Sequence, residues 1–350
     1  MNTSLLRRAC WLAAIASCSA HAQSDVKVYG LVDMNVGATT NVSNSGDAAV
    51  RVSSGGMNSS RLGFLGKEDV GNGLHALWQL EMGIAADTGV ADNPLFKRQA
   101  TVGLEGRFGT LMVGRAFTTV YDFVLPYDPM GYAPMYSWAP AGNASGDSKY
   151  GMALAFDNMI KYAGKAGNFS FGASYGAGER SKLGDGAKLA LAANYARGPY
   201  SVVATWERIR AGSSGGAGDT TAWHLGAMLS HGPLKLQAAM RDYRQEGANA
   251  LLPDVRARLY WFGANVAVAP RTTLSGALYY QDVRGVPVDT DADPLMLVGR
   301  VKYALSTRTD LYATAAYAKA GHGRPVSLAR DEAGFGSSQR SIMAGIQHRF

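Results

Sequence analysis

Residues 26–38 read VKVYGLVDMNVGA. Val26, Val28, Val32, Met34 and Val36 fall on one parity of this stretch, and Lys27, Tyr29, Asp33 and Asn35 on the other. Successive side chains of a strand point to opposite faces, so the pattern describes a two-faced strand with one apolar and one polar side. The same period returns downstream. In GLHALWQLEMGI, Leu74, Ala76, Trp78, Leu80, Met82 and Ile84 alternate with His75, Gln79 and Glu81; at the C-terminal end Ile342, Ala344, Ile346 and Phe350 alternate with Ser341, Gln347 and Arg349.

Extended along the chain, this reading places strands over 26–38, 58–68, 73–85, 95–107, 109–115, 150–163, 168–177, 187–197, 199–210, 220–231, 233–244, 254–268, 271–284, 294–305, 308–319 and 339–350, sixteen in all. Their connections alternate in length. Short turns such as 69–72, 164–167, Gly198 and Gly232 are interleaved with longer segments such as 39–57, 116–149, 211–219, 245–253 and 320–338. Short turns on one rim and long loops on the other are the signature of an antiparallel transmembrane β-barrel. Closure pairs every strand edge, lipid covers the outward apolar band, and sixteen strands leave an aqueous interior. Past the N-terminal segment, the sequence offers no run of roughly 18 apolar residues long enough for a membrane helix.

One connection is too long for a plain link. Residues 115–149 read RAFTTVYDFVLPYDPMGYAPMYSWAPAGNASGDSK. Pro126, Pro129, Pro134 and Pro140 forbid a helix or a central strand through the segment, because each removes a backbone donor and restricts the residue before it. Phe117, Tyr121, Phe123, Tyr127, Tyr132, Tyr136 and Trp138 are too much aromatic surface to leave in water. The third long loop is therefore expected to fold against something concave, and the inner wall of the barrel is the available partner.

Residues 1–22 read as a signal peptide. Arg7 and Arg8 precede an apolar run, and Ala20-His21-Ala22 supplies the small residues of a cleavage site. Ile15-Ala16-Ser17-Cys18 also fits the box before a lipid-modified cysteine. The expected mature domain is 23–350. Both cysteines, Cys10 and Cys18, lie in the signal, which excludes a disulfide framework and a thiolate metal site from the mature chain. Without Arg7 and Arg8 the 34 basic residues become 32 against 27 acids, a surplus of +5 spread without a run, and not the footprint of a nucleic-acid binder. With 17% charged residues and 43 glycines the composition is low in charge and rich in glycine, and the length would suit one or two ordinary domains.

Several stretches carry a family resemblance: Val28-Tyr29-Gly30-Leu31-Val32-Asp33, SSGGMNSSRLGFLGKEDVGNGLHALWQLEMG over 53–83, LFKRQATVGLEGRFGTLMVGR over 95–115, YDFVLPYDPMGY over 121–132, and the last strand ending in Phe350. The chain resembles the general trimeric porins of Gram-negative outer membranes, those of beta-proteobacteria above all, strongly to about Tyr132 and at 342–350. The resemblance implies a homotrimer in outer-membrane lipid and lipopolysaccharide, passive passage of ions and small hydrophilic solutes, no cofactor, no catalysis, and a terminal Phe350 read by the outer-membrane insertion machinery. It also implies a constriction at the third loop, with Arg61, Arg98 and Arg115 on the wall opposed by Asp122 and Asp128 on the loop. Such a pair of charged walls sets a transverse field across the bore and favours anions modestly. Parity supports Arg61, which alternates with Leu62 and Phe64; Arg98 and Arg115 share parity with apolar neighbours, so each needs a bulge or a strand end beside it.

Other signals have plainer explanations. Gly71-Asn72-Gly73-Leu74-His75-Ala76 matches a dinucleotide loop by letters but leads into a strand. The mature histidines show no ligand spacing, and Asp289, Asp291 and Asp293 read as loop charge ahead of a divalent-cation site. Trp206, Trp223, Tyr260, Trp261, Tyr279, Tyr280, Tyr303, Tyr312 and Tyr317 are expected in interfacial girdles. Two alternatives remain at this level: a substrate-specific channel or surface receptor, and an outer-membrane enzyme whose His224 or His322 would need a nucleophile motif that the neighbouring sequence lacks.

Overall fold

The computed structural model describes residues 25–140, 150–179, 184–212, 218–247, 253–285, 292–330 and 332–350. The expected signal peptide lies outside them, as do 141–149 of the long loop. The strands are β1 (Asp25–Thr39), β2 (Ala49–Ser54), β3 (Arg61–Gly71), β4 (Leu74–Ala85), β5 (Val90–Ala91), β6 (Gln99–Gly106), β7 (Gly109–Phe117), β8 (Ala155–Ala166), β9 (Phe169–Gly176), β10 (Lys188–Arg197), β11 (Tyr200–Ile209), β12 (Thr220–His231), β13 (Leu234–Gln245), β14 (Val255–Ala269), β15 (Thr272–Arg284), β16 (Leu295–Ala304), β17 (Thr309–Lys319) and β18 (Ser338–Arg349).

Each main strand pairs antiparallel with its sequence neighbour, and β1 pairs with β18, from Leu31 opposite Arg349 to Thr39 opposite Ser341. The sheet is thus a closed antiparallel barrel. It has sixteen positions because β2 and β3 share one: β1 pairs with β3 over Asp25–Leu31 and with β2 over Met34–Thr39. The two-residue β5 pairs only with the end of β4. At the seam Gly30 and Phe350 exchange backbone hydrogen bonds, each 3.1 Å. A Cβ at Gly30 would lie 2.4 Å from the Phe350 ring, so only glycine admits the terminal aromatic there.

The expected alternation is realised. Val26, Val28, Val32 and Val36 are exposed on β1, while Asp33 and Asn35 are buried. Burial here reflects contact with what the barrel encloses, and exposure marks the outward band that lipid covers.

Local details depart from the sequence reading. Residues 49–54 form β2 where a loop was expected, because Val50 and Val52 continue the outward apolar row between Ser- and Gly-rich flanks. The break that follows is held by Asp33, whose carboxylate accepts from the backbone N–H of Gly56, Met57 and Asn58 at 3.2, 3.0 and 2.8 Å. This break delivers Arg61 as the first residue of β3. β6 starts at Gln99, later than expected, so Arg98 precedes the strand. The long loop opens with α1 (Thr119–Val124), capped by Thr118, whose hydroxyl accepts from Tyr121 N at 3.0 Å. The helix ends before Pro126, which sits in the 3-10 turn Leu125–Tyr127, so the prolines bounded a helix and did not exclude one.

Candidate pore constriction

The polar parity of the strands is spent on the long loop. Gln237 on β13 donates to Pro126 O at 2.8 Å, Trp261 on β14 to Tyr127 O at 2.9 Å, and Arg241 on β13 to Ala139 O at 2.6 Å. On the far side Tyr136 donates to Ser341 on β18 at 2.7 Å. Backbone carbonyls that an irregular segment cannot pair internally thus find donors on strands round much of the barrel. Val120, Val124, Tyr127, Met130, Tyr136 and Trp138 are all buried.

Three inward aromatics correct the girdle expectation. Trp261, Tyr279 and Tyr312 are buried, whereas the sequence pattern predicts them at the lipid interface. Adjacent residues of a strand cannot share a face, and Tyr260 and Tyr280 are the ones turned outward, stacked with centroids 6.5 Å apart. Tyr279 donates to Asp128 and Tyr312 to Asp33.

Asp128 also differs from the expected pore acid. It is 2% exposed and accepts from Tyr132 N at 2.6 Å, Ser137 Oγ at 2.7 Å and Met130 N at 3.4 Å besides Tyr279. Burial pushes its carboxyl above the ordinary range, opposed by the hydrogen bonds from Tyr279 and Tyr132. Its charge ties the loop to itself and to β15, and is not presented to water.

The remaining predicted residues divide into two groups. Arg61, Arg98 and Asp122 line one cavity of about 300 Å3 with Glu81, Tyr121, Tyr132 and Arg330. Arg98 Nε lies 2.7 Å from Glu81 Oε1, and Arg61 Nε 3.7 Å from Glu81 Oε2. Tyr29 also donates to Glu81, at 2.8 Å. The Arg98 guanidinium stands 5.1 Å over the Phe117 ring, a cation–π contact. Asp122 forms an ion pair with Lys161 of β8.

Arg115 lies apart from that cavity. It sits at a bulge where the β7–β8 register shifts between Gly114 and Ala116, as its parity required. Its guanidinium bonds Lys97 O and Asp157.

Lys161 and Arg330 were missed by sequence reasoning. Lys161 was accessible, since it shares the inward parity of Met159 on β8. Arg330 had no such signal, because it lies in the last long connection, where no period constrains direction; its backbone N–H reaches Pro134 O at 3.3 Å. Among the described residues no group of three or more His, Cys, Asp or Glu is placed to hold a metal. Asp289 and Asp291 lie outside the described residues, while Asp293 accepts from Val283 N at 3.0 Å. His224 is buried and bonded to Thr205 at 2.9 Å.

A closed barrel with an apolar exterior, a polar interior and an inward charged cluster defines an outer-membrane channel. The chain belongs to the Gram-negative porin family, whose model matches residues 9–323. It is 31% identical to "Outer membrane porin protein 32" of Delftia acidovorans over 96% of this chain and 97% of that one. It is 26% identical to an outer membrane porin protein of Bordetella pertussis, over 95% and 96% of the two chains. Among solved structures, the anion-selective porin from Comamonas acidovorans superposes with a TM-score of 0.80 at 26% identity, covering 93% of this chain and all of that one. The trimer form of OmpT from Vibrio cholerae shares the fold, with a TM-score of 0.66 at 17% identity over 93% and 99% of the chains. The protein is a diffusion porin of the outer membrane.

Proposed function

We propose that the pore prefers anions modestly, and that residues 116–140 of the long loop fold into the lumen and narrow it beside a basic wall formed by Arg61 and Arg98, with Arg115 a flanking charge. Asp122 is the loop's acid in this reading, and Asp128 braces the loop behind it. The observation that carries the proposal is the convergence of Arg61 and Arg98 on the single carboxylate of Glu81, facing the loop. Two guanidiniums on one acid leave a net positive wall, and guanidinium charge persists at every working pH. The selectivity stated for the Comamonas porin supports the same preference.

Transport needs no chemical step, because the solute gradient supplies the free energy, and no catalytic group enters. The mature barrel begins after residue 22. It assembles as a homotrimer through outward valines of β1 and through Ile342 and Ile346 of β18, a reading favoured by the exposure of these apolar side chains and by the trimer form of OmpT. Phe350 at the seam is the handle for membrane insertion.

The test is the reversal potential of purified protein in a planar bilayer under a salt gradient, run beside a variant lacking part of Tyr121–Tyr136. Anion preference in the wild type and larger conductance in the deletion are expected. Cation preference, or unchanged conductance on deletion, overturns the proposal.

A further inference from the structure

Between β2 and β3 the chain carries more residues than the sheet needs. Ser54 stands opposite Met34 and Arg61 opposite Leu31, so residues 55–60 on one side face only Val32 and Asp33 on the other. This run forms a wide bulge, and its direction is inward. Met57 is 6% exposed, Asn58 donates to the buried Gln347 of β18, and a Cβ on Gly55 would stand 3.8 Å from the Pro134 ring of the long loop.

One residue grips this bulge from β1. The Asp33 carboxylate accepts from the N–H groups of Gly56, Met57 and Asn58 and from the Tyr312 hydroxyl. Its main chain adds two bonds: Asp33 O accepts from Gly55 N at 2.9 Å, and Asp33 N donates to Ser60 Oγ at 3.0 Å. Asp33 is 0% exposed, and hydrogen bonds to a buried carboxylate are strong and directional. Gly56 is what lets Tyr312 come so close, since a Cβ there would lie 2.2 Å from the Tyr312 oxygen.

The far side of the bulge faces the cavity. Asn58 and Ser59 line it together with Arg61, Arg98 and Asp122. Ser59 O accepts from the Arg61 guanidinium at 3.2 Å, alongside the Glu81 carboxylate at 3.7 Å. The bulge therefore sets both where β3 starts and where the Arg61 side chain is held.

The geometry points to residues 55–60 as a second, wall-borne part of the constriction, with Asp33 the positioning residue that aims Arg61 at the bore. The inference rests on the reading of this cavity as the constriction, and it gives the long loop a fixed opposing lip.

Charge and position predict opposite signs here. Asp33→Asn removes a negative charge from the wall, which by itself raises anion preference. It also turns amide hydrogens toward backbone N–H groups of the bulge, which releases the bulge and moves Arg61 off its line. Positioning thus predicts a lower anion preference from a substitution that makes the wall more positive.

The experiment uses planar-bilayer recordings of the folded full chain, with folding checked by its heat-resistant band. Both cysteines lie within residues 1–22, so Ser59→Cys gives the barrel a single thiol. A bulky, uncharged methanethiosulfonate reagent is expected to react with it from the pore and to lower single-channel conductance. In the Asp33→Asn background that reaction is expected to run about tenfold faster, the shift that loss of a buried hydrogen bond allows. Asp33→Asn alone is expected to lower the anion-to-cation permeability ratio about twofold, and to add nothing in an Arg61→Ala background. Tyr312→Phe, which removes one donor and no charge, should act in the same direction by less. An Arg61→Ala ratio equal to the wild type would overturn the basic-wall reading, and the thiol reaction rates would then decide this proposal by themselves. Where Arg61→Ala does lower the ratio, a raised ratio in Asp33→Asn, or additive effects of the two substitutions, would overturn the proposal. So would an inert Ser59→Cys, or an Asp33→Asn variant that loses stability with its thiol reaction rate unchanged.

Discussion

Arg98 donates through Nε to Glu81 Oε1 at 2.7 Å, so the basic wall facing the long loop carries its own acid. The carboxylate is shared with Arg61, and its side chain is 5% exposed. Replacing Glu81 by Gln keeps the shape and removes the charge. The anion-to-cation permeability ratio is expected to rise about two- to threefold, the effect of roughly 0.5 kcal/mol of electrostatic energy in the bore. Reversal potentials under a salt gradient check this, and an unchanged ratio would mean that Glu81 does not act on passing ions.

The three arginines should not behave alike. Arg61→Ala and Arg98→Ala each remove a charge from the cavity next to Tyr121, and each is expected to lower anion preference. Arg115 is held by Lys97 O and Asp157 outside that cavity, so Arg115→Ala should shift the ratio less than either. Parallel reversal-potential measurements decide the order, and an Arg115→Ala effect as large as the others would place its charge in the bore.

Asp128→Asn strikes the brace of the loop. The amide cannot accept equally from Tyr279, Ser137 and the Tyr132 and Met130 backbone, and unsatisfied buried donors cost about 1–3 kcal/mol. Lower thermal stability and noisier, larger single-channel currents are the expected outcome. Trp261→Phe, which loses only the bond to Tyr127 O, should show the same change in milder form. A quiet, wild-type trace from Asp128→Asn would remove Asp128 from this role.

Ionic strength gives a test without mutation. The field of a charged wall is screened over about 10 Å at roughly 0.1 M salt and about 3 Å at roughly 1 M. Anion preference should therefore decline toward the bulk mobility ratio as salt rises. Selectivity independent of salt would point to size or direct binding as the discriminating step.

The barrel was legible in local pattern alone. The alternation of Val26 to Val36 against Tyr29, Asp33 and Asn35 is a property of one strand read locally, and repeated sixteen times with short and long connections it admits no other closed arrangement in a membrane. Parity also flagged the strand end at Arg98 and the bulge at Arg115, both of which the fold contains. Partners on other strands and the path of the irregular segments emerge only when the chain folds. Asp122 and Asp128 look equivalent in the sequence, yet one pairs with Lys161 at the cavity and the other is sealed under Tyr279. Trp261 and Tyr260 are neighbours, and which of them turns outward depends on the face that closure sets toward lipid. Arg330 enters the cavity from a loop with no period, and Arg208, Thr221, Arg244, Arg256 and Arg284 align across β11–β15 only once the register is set. Side-chain period is encoded residue by residue, whereas lateral register and loop path follow from long-range pairing and from buried carbonyls finding donors, neither of which a local pattern contains.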